Sequence, residues 1–446
     1  MRAAARRPRE GGVQQPAEAI APSIALPDSA PSAREWQGRK ASQIAFGATA
    51  LFAVQLYLAP AQWFPQLDPL HLALILSFIG LAALCVQRVL TNQPLWMGWR
   101  TAFLAVYTGE ALLSPMWTMD RPSTIPGAIE VAKHFLFFVA LTNTATSAKR
   151  VRIALTLYAA AAIAPGWGTF NNWLHDQLLV EGFRGRWLGM MADPNHDAMA
   201  LVGAIPILLF LAVGKGHGWS KRAIGIAGTA ACIMGVVATH SRGGSIGLAV
   251  AVLVFALLSR RKALAGTVAL IATAGVLLFA PRSFWQRNET IAEYEADASV
   301  QGRMQAWQVA FGIFRDHPLI GVGESAFLEA WSQYAPIDAG HRRYVAHNLF
   351  LEVLGQLGLV GLFGYLGFTL CALWSAWRAR NGELGGEARA ILAALIGYLV
   401  CQQFSGYSLS WFLYTLCAFA TCCDAYGRKS APRPADGGAL DEAFAP

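Results

Sequence analysis

The chain has 446 residues, of which 55% are hydrophobic and only 14% are charged, and its formal net charge is +8. Soluble proteins carry roughly 25% charged residues, because their surface must be solvated. The composition therefore excludes an ordinary soluble enzyme and indicates a membrane protein. The basic residues form short clusters between apolar runs and no dense patch, which argues against nucleic acid as a partner.

Apolar runs recur along most of the chain, and many approach the length of about 20 residues that a helix needs to cross a bilayer. They predict an all-α integral membrane protein with about twelve transmembrane helices. The predicted spans are centred near Phe52, Ile75, Ala105, Phe137, Ala159, Ile207, Gly228, Ala251, Leu270, Leu366, Leu395 and Cys417.

The spans divide the chain into five predicted parts. Residues 1–41, which are rich in Ala, Pro and Arg, form a disordered cytoplasmic tail. Spans 1 to 9 occupy residues 42–280, and a large periplasmic loop containing helices occupies residues 281–345. Spans 10 to 12 occupy residues 346–427, and residues 428–446 form a second cytoplasmic tail. Loops as long as the one before span 10 are usually functional.

Charge sets the predicted orientation. With a cytoplasmic N-terminus, twelve spans place 24 of the 35 Lys and Arg residues in cytoplasmic segments, as the positive-inside rule requires. The outer side then carries ten Arg and no Lys, and Lys133 lies within the fourth span. The sequence therefore predicts a multi-pass protein of the bacterial inner membrane whose functional face is periplasmic.

Arginines on that outer face need a reason, since the same rule disfavours them there. Arg184 and Arg186 lie in FRGRWLGMMADPNHDAMA, Arg242 lies in THSRGGS, and Arg303 lies in SVQGRMQAW within the large loop. Guanidinium groups bind phosphate oxygens in permanently charged, bidentate contacts. Their convergence would suit a lipid-linked phosphate or diphosphate. Each arginine could instead anchor the headgroup region or pair with a loop carboxylate.

Histidines supply the candidate proton-transfer group. His347 lies in YVAHNLFLEVLGQLGLVGL, where the large loop meets the tenth span, and a neutral imidazole there could accept a proton from a hydroxyl. A lone histidine is more often structural. His196 lies near Asp193 and Asp197, which could hold a metal, but DPNH is typical of a helix start where Asp caps backbone N–H groups. We therefore predict capping and no metal or other cofactor.

These motifs together resemble the O-antigen ligase and O-antigen polymerase family of bacterial surface-polysaccharide enzymes. The resemblance rests on RGRWLGMMADPN, on THSRGGSIGLAVAVLVF, on GRMQAWQVAFGIFRDHPLIGVGESAF and on AHNLFLEVLGQLGLVGL, in this order and on one predicted face. It covers roughly residues 166–368. Gln356 stands where the family often has an acid before the glycine, and Asp197 follows the DPNH segment. Neither departure affects the Arg or His positions.

The resemblance implies a GT-C-like membrane glycosyltransferase that moves a glycan from undecaprenyl diphosphate to a sugar hydroxyl, without a metal and with inversion. In the ligase branch the acceptor is lipid A-core, and in the polymerase branch it is a second lipid-linked glycan. Carried over, Arg186 and Arg242 would bind the diphosphate, with Arg303 and Arg184 as further candidates. His347 would be the general base. We favour the ligase and keep the polymerase as the alternative.

A lipid-linked saccharide transporter is the second alternative, and an inactive membrane partner is the third. A transporter would place charges near the middle of its spans. Here the charges within spans are few, chiefly Glu110, Glu130 and Lys133, whereas Arg and His gather at one face. This distribution favours the enzyme.

Overall fold

The structure is a computed structural model that describes residues 33–264, 298–335 and 343–427, with a few single positions between them. Most of the described residues are helical, and the one β-bridge among them joins Val180 and Arg184. The helices are α1 Ala33–Leu58, α2 Pro60–Trp63, α3 Leu72–Thr91, α4 Trp99–Leu113, α5 Arg121–Thr144, α6 Ala148–Ala161, α7 Ile163–Leu174, α8 Pro194–Val213, α9 Trp219–Ala238, α10 Arg242–Leu258, α11 Ala298–Asp316, α12 Phe327–Tyr334, α13 Leu349–Ala379, α14 Gly385–Ser405 and α15 Trp411–Tyr426.

Eight helical segments in the described ranges are long and apolar enough to cross a membrane, which confirms an all-α, multi-pass membrane protein. They are Ala33–Leu58, Pro65–Thr91, Arg121–Thr144, Ala148–Leu174, Pro194–Val213, Trp219–Ala238, Leu349–Ala379 and Gly385–Ser405. The predicted spans near Ala105, Ala251 and Cys417 are also helices, but α4, α10 and α15 are shorter.

The proposed domain boundaries remain predictions. Residues 1–32 and 428–446, most of the ninth predicted span and most of the first part of the large loop lie outside the described residues. Helix α1 begins at Ala33, within the segment predicted as the N-terminal tail.

The described loops that the sequence predicts on the outer face lie together at one end of the helical bundle. Gly185 N–H donates to the carbonyl of Ala238 at 2.9 Å, which joins the loop before α8 to the end of α9. Met119 N–H donates to the carbonyl of Val322 at 3.3 Å, which joins the α4–α5 connection to the segment between α11 and α12. The candidate residues therefore lie on connections that share one end of the bundle.

The opposite end holds the basic clusters. Arg152 Nε lies 3.0 Å from Glu387 Oε1 at the start of α14. Arg100 pairs with Asp424 near the end of α15, and Arg88 Nη2 donates to Asn143 Oδ1 at 3.0 Å. These contacts agree with the alternation of basic and non-basic connections in the sequence.

Helix α8 lies at the centre, where most of its residues are buried. Small residues let its neighbours approach one another, as membrane helices commonly do. A Cβ atom placed on Gly235 of α9 would lie 2.7 Å from the Gly166 carbonyl oxygen of α7. The close packing fixes the outer ends of α7, α8 and α9 relative to one another.

Helix α13 is broken at Gly358 (φ 60°, ψ −157°), and residues 317–326 fit into the break. Val322 and Gly323 N–H groups donate to the carbonyls of Gly355 and Gln356, and Leu359 and Val360 N–H groups donate to those of Pro318 and Leu319, at 2.8–3.1 Å. A Cβ atom at Gly358 would lie 2.3 Å from the backbone of Leu319, so glycine is required there. The interlock fixes the large loop to the helix that begins beside His347.

Candidate active site

Asn195 connects three of the segments that the sequence singled out. Its side-chain oxygen accepts hydrogen bonds from Arg184 Nη2 at 2.8 Å and from Ser241 Oγ at 2.9 Å. Ser241 is the N-cap of α10 and immediately precedes Arg242. RGRW, DPNH and THSR therefore meet around one amide side chain.

The predicted helix cap at Asp193 is confirmed. Its Oδ1 accepts from the backbone N–H groups of Asn195 at 2.7 Å and His196 at 3.3 Å, at the start of α8. The pKa of Asp193 is lowered, because His196, the Asn195 backbone N–H and Arg184 outweigh the effect of burial. Asp197 instead bonds Thr169 Oγ1 at 2.5 Å. Among the described residues no group of His, Cys, Asp and Glu is arranged to hold a metal ion.

The two arginines of RGRW have different surroundings. Arg184 is 5% exposed, and its Nε donates to the carbonyl of Thr239 at 3.1 Å. Arg186 is partly buried and donates to two carbonyls of its own loop, Leu178 at 3.3 Å and Ala192 at 3.2 Å. No carboxylate in the described ranges lies within ion-pair distance of Arg186. Arg184 therefore stabilises the loop, whereas no acid among the described residues neutralises the charge of Arg186.

Arg242 is the first residue of α10, and its neighbour Ser241 accepts the Gly244 N–H at 3.2 Å. A helix start concentrates backbone N–H groups and positive potential. Arg242 therefore adds a guanidinium at a place that already favours anions.

His347 has a strained backbone and a shielded imidazole. Its φ is 48°, unusual for a residue with a side chain, and it stands directly before Asn348, which caps α13. Asn348 Oδ1 accepts from the N–H groups of Phe350 at 3.1 Å and Leu351 at 3.2 Å. His347 Nδ1 is buried and has no hydrogen-bond partner in the described part of the chain.

The surroundings of His347 favour the neutral form of its imidazole. Burial, and after it the positive charge of Arg303, lowers the pKa of His347 to about 4. The backbone of Ser405 and the carboxylate of Asp193 act in the opposite direction. Arg303 and Asp193 are therefore close enough to His347 for their charges to act on it, which brings the α11 and α8 segments to the histidine.

The cap of α8 and the start of α13 also meet through aromatic and acidic groups. The rings of His196 and Tyr407 stack with centroids 4.5 Å apart. Glu352, one turn into α13, accepts from Tyr407 N–H at 2.7 Å and from Ser408 N–H and Oγ at 2.9 and 2.8 Å. Glu352 therefore holds the 406–410 connection between α14 and α15 against His196.

Several of these residues were missed by the sequence reasoning. Asn195, Glu352 and Tyr407 position the site, but their sequence contexts show only a helix cap, an acid in a helix and a tyrosine between two spans. The placement of Glu352 four residues after the capping Asn348 is the one available signal, because that spacing puts a carboxylate on the first turns of a helix.

The comparisons with known proteins bear on the family of the chain. A family model described as O-antigen ligase matches residues 227–366, a range that includes Arg242, Arg303 and His347. No curated protein matched the chain. With the helical membrane fold, the matched domain supports an assignment to the O-antigen ligase and polymerase family.

Proposed function

We propose that the chain is an O-antigen ligase of the bacterial inner membrane. It would transfer a glycan from undecaprenyl diphosphate to a sugar hydroxyl of lipid A-core on the periplasmic face. The observation that carries the proposal is the buried Nδ1 of His347, which has no hydrogen-bond partner among the described residues and lies near Arg303 and the cap of α8. The matched family domain supports the reaction class.

The proposed chemistry uses His347 as general base. The acceptor hydroxyl gives its proton to Nδ1 while its oxygen attacks the anomeric carbon, and the bond from that carbon to the diphosphate breaks. Undecaprenyl diphosphate leaves with the negative charge, and the configuration inverts. Burying a hydrogen-bond acceptor without a donor is unfavourable in free energy. A substrate hydroxyl bound at Nδ1 would supply the missing donor.

The arginines would hold the diphosphate and stabilise the charge that develops on it. Arg186 and Arg242 are the main candidates, because the first has no acidic partner among the described residues and the second starts a helix. Arg303 is a third candidate through its proximity to His347. Arg184 would act mainly by positioning the loop, since its Nε and Nη2 atoms already bond protein groups.

The charge of the bound diphosphate would also tune the base. An anion near Arg303 offsets the repulsion that this arginine exerts on a protonated His347. The pKa of His347 would therefore rise when the donor binds. The base would become stronger in the complex in which it must act.

A cavity of about 670 Å³ offers a route for the donor's hydrocarbon chain. It lies between α1, α3 and α5, and Gly189 and Met190 of the Arg186 loop line one part of it. Its walls are mostly apolar, with Glu130 and Lys133 as a pair 2.9 Å apart. The volume falls within the range of about 300–1,000 Å³ typical of ligand pockets.

The product of a reconstituted reaction tests the proposal. Purified protein would receive a glycan on undecaprenyl diphosphate together with lipid A-core, with His317→Ala as a control for His347→Ala. Glycan on lipid A-core, lost only in His347→Ala, supports the ligase. Elongated lipid-linked glycan would identify a polymerase instead, and donor movement across the bilayer without transfer would identify a transporter.

A further inference from the structure

Glu324 is a buried acid that the proposed reaction does not use. It lies in the segment that fits into the break of α13, and its side chain is 1% exposed. Its backbone N–H donates to Ser114 Oγ at 3.1 Å, and Ser325 Oγ lies 3.4 Å from its Oε1. Oε2 is buried and has no hydrogen-bond partner in the described ranges.

Tyrosine side chains lie near Glu324, and no cation among the described residues pairs with it. Tyr107 of α4 and Tyr365 of α13 stack edge to face, with centroids 5.2 Å apart, and both are fully buried. Tyr414 of α15 donates its hydroxyl to the Ser408 carbonyl at 3.2 Å and is near enough to Glu324 to interact with its charge. From α5 the neighbour is Gly127, where a Cβ atom would lie 3.1 Å from Glu324 Cγ.

The charge that acts on Glu324 comes from another acid, Glu352. Glu352 accepts three hydrogen bonds from Tyr407 and Ser408, an arrangement that favours its anionic form. A second anion nearby, in a buried place, would repel it. Burial, and after it the charge of Glu352, raises the pKa of Glu324 to about 8, although Ser325 and Tyr107 act in the opposite direction.

We propose that Glu324 is a positioning residue that acts as a neutral carboxylic acid and keeps Glu352 bound to the 406–410 connection beside His347. The connection and the base are in direct contact: a Cβ atom at Gly406 would lie 3.4 Å from His347 Cα and 2.7 Å from Glu352 Oε2. Ionisation of Glu324 would therefore disturb the seating of His347. The catalytic consequence rests on the proposed function, but the protonation state does not.

The direction of the pH effect follows from the raised pKa. The folded protein binds the Glu324 proton more tightly than the unfolded chain, whose glutamates titrate near 4.5. The stabilising contribution is therefore complete below pH 4.5 and is lost as pH rises through about 8. Glu324→Gln, which is neutral at every pH, should not show this loss.

Infrared spectroscopy of the protein in nanodiscs tests the protonation state directly. The wild-type spectrum at pH 7 should contain a protonated carboxyl band that Glu324→Gln lacks and that disappears as pH passes about 8. Glu329→Gln is the matched control, because Glu329 is about half exposed and pairs with Arg343 at 3.0 Å. A band unchanged in Glu324→Gln, or absent from the wild type, would overturn the inference.

Thermal unfolding between pH 6 and 9 gives a second readout without substrate. The melting temperature of the wild type and of Glu329→Gln should fall more steeply with pH than that of Glu324→Gln. Parallel curves for all three proteins would contradict a buried acid that ionises in this range. Neither measurement requires the transfer reaction, so both remain informative if the proposed function fails.

The transfer assay then tests positioning. The wild-type kcat should decline above pH 8, Glu324→Gln should lack this decline, and Glu329→Gln should keep it. Loss of activity in folded Glu324→Gln at every pH would show that the ionised acid is required and would overturn the proposal. An unchanged decline in Glu324→Gln would show that another group causes it.

Discussion

The imidazole of His196 stacks on the ring of Tyr407 with an interplanar angle of 18°. This contact joins the first turn of α8 to the connection that Glu352 holds, and that connection touches His347. The segment that carries the arginine loop and the helix that follows the proposed base are therefore positioned by a common set of contacts.

Loss of the stack should weaken catalysis without unfolding the protein. Aromatic pairs contribute about 0.5–1.5 kcal/mol beyond their buried area. Tyr407→Ala should therefore lower the transfer rate by up to about tenfold, whereas Tyr407→Phe should keep it, because the ring remains. Initial rates and melting temperatures of both variants would decide this, and equal rates for the two variants would show that the stack has no role.

Asn195→Ala should destabilise the arginine loop. The change removes the acceptor shared by Arg184 and Ser241, and leaving buried donors unpaired costs about 1–3 kcal/mol. Asn195→Asp keeps an oxygen at the same place and should retain most of the stability. The measurement is equilibrium unfolding in detergent. Full stability in Asn195→Ala would remove Asn195 as the connection between the three segments.

Arg186→Lys and Arg242→Lys should weaken donor binding although the charge is kept. Lysine cannot reproduce the bidentate contacts of guanidinium with phosphate oxygens. We expect KM for the lipid-linked donor to rise by about tenfold or more, with less effect on KM for the acceptor. Arg315→Lys is the control, since the Arg315 side chain is 80% exposed at the end of α11. Equal effects at all three positions would contradict diphosphate binding.

Filling the cavity should discriminate against donors with a long hydrocarbon chain. Ser77 lines the cavity and Ile79, on the same helix, does not. Ser77→Phe should raise KM for a long-chain donor more than for a short-chain analogue, while Ile79→Phe should leave that ratio unchanged. The ratio of the two KM values is the quantity to measure. An unchanged ratio in Ser77→Phe would place the chain elsewhere.

Local patterns predicted the membrane spans, the cap at Asp193 and the shared face of the loops, because hydrophobic run length, helix capping and charge alternation are properties of short segments. They did not predict the break at Gly358 or the contacts of Glu324 and Glu352. Those features depend on hydrogen bonds between residues far apart in sequence, such as Val322 and Gly355. The role of Arg184 as a brace could not be read from RGRW either, since Asn195 and Thr239 determine it.

The pH dependence of the transfer rate, measured with and without His347, tests the central claim most directly. A general base must be neutral, so kcat/KM of the wild type should be flat near neutral pH and fall as pH drops through about 4. The break in kcat should lie at higher pH, because the bound diphosphate raises the pKa of His347. His347→Gln should lose about 100- to 10,000-fold in kcat and also lose the break, while His317→Gln keeps both. A folded His347→Gln enzyme with the wild-type rate and pH profile would contradict the assignment of His347 as the base.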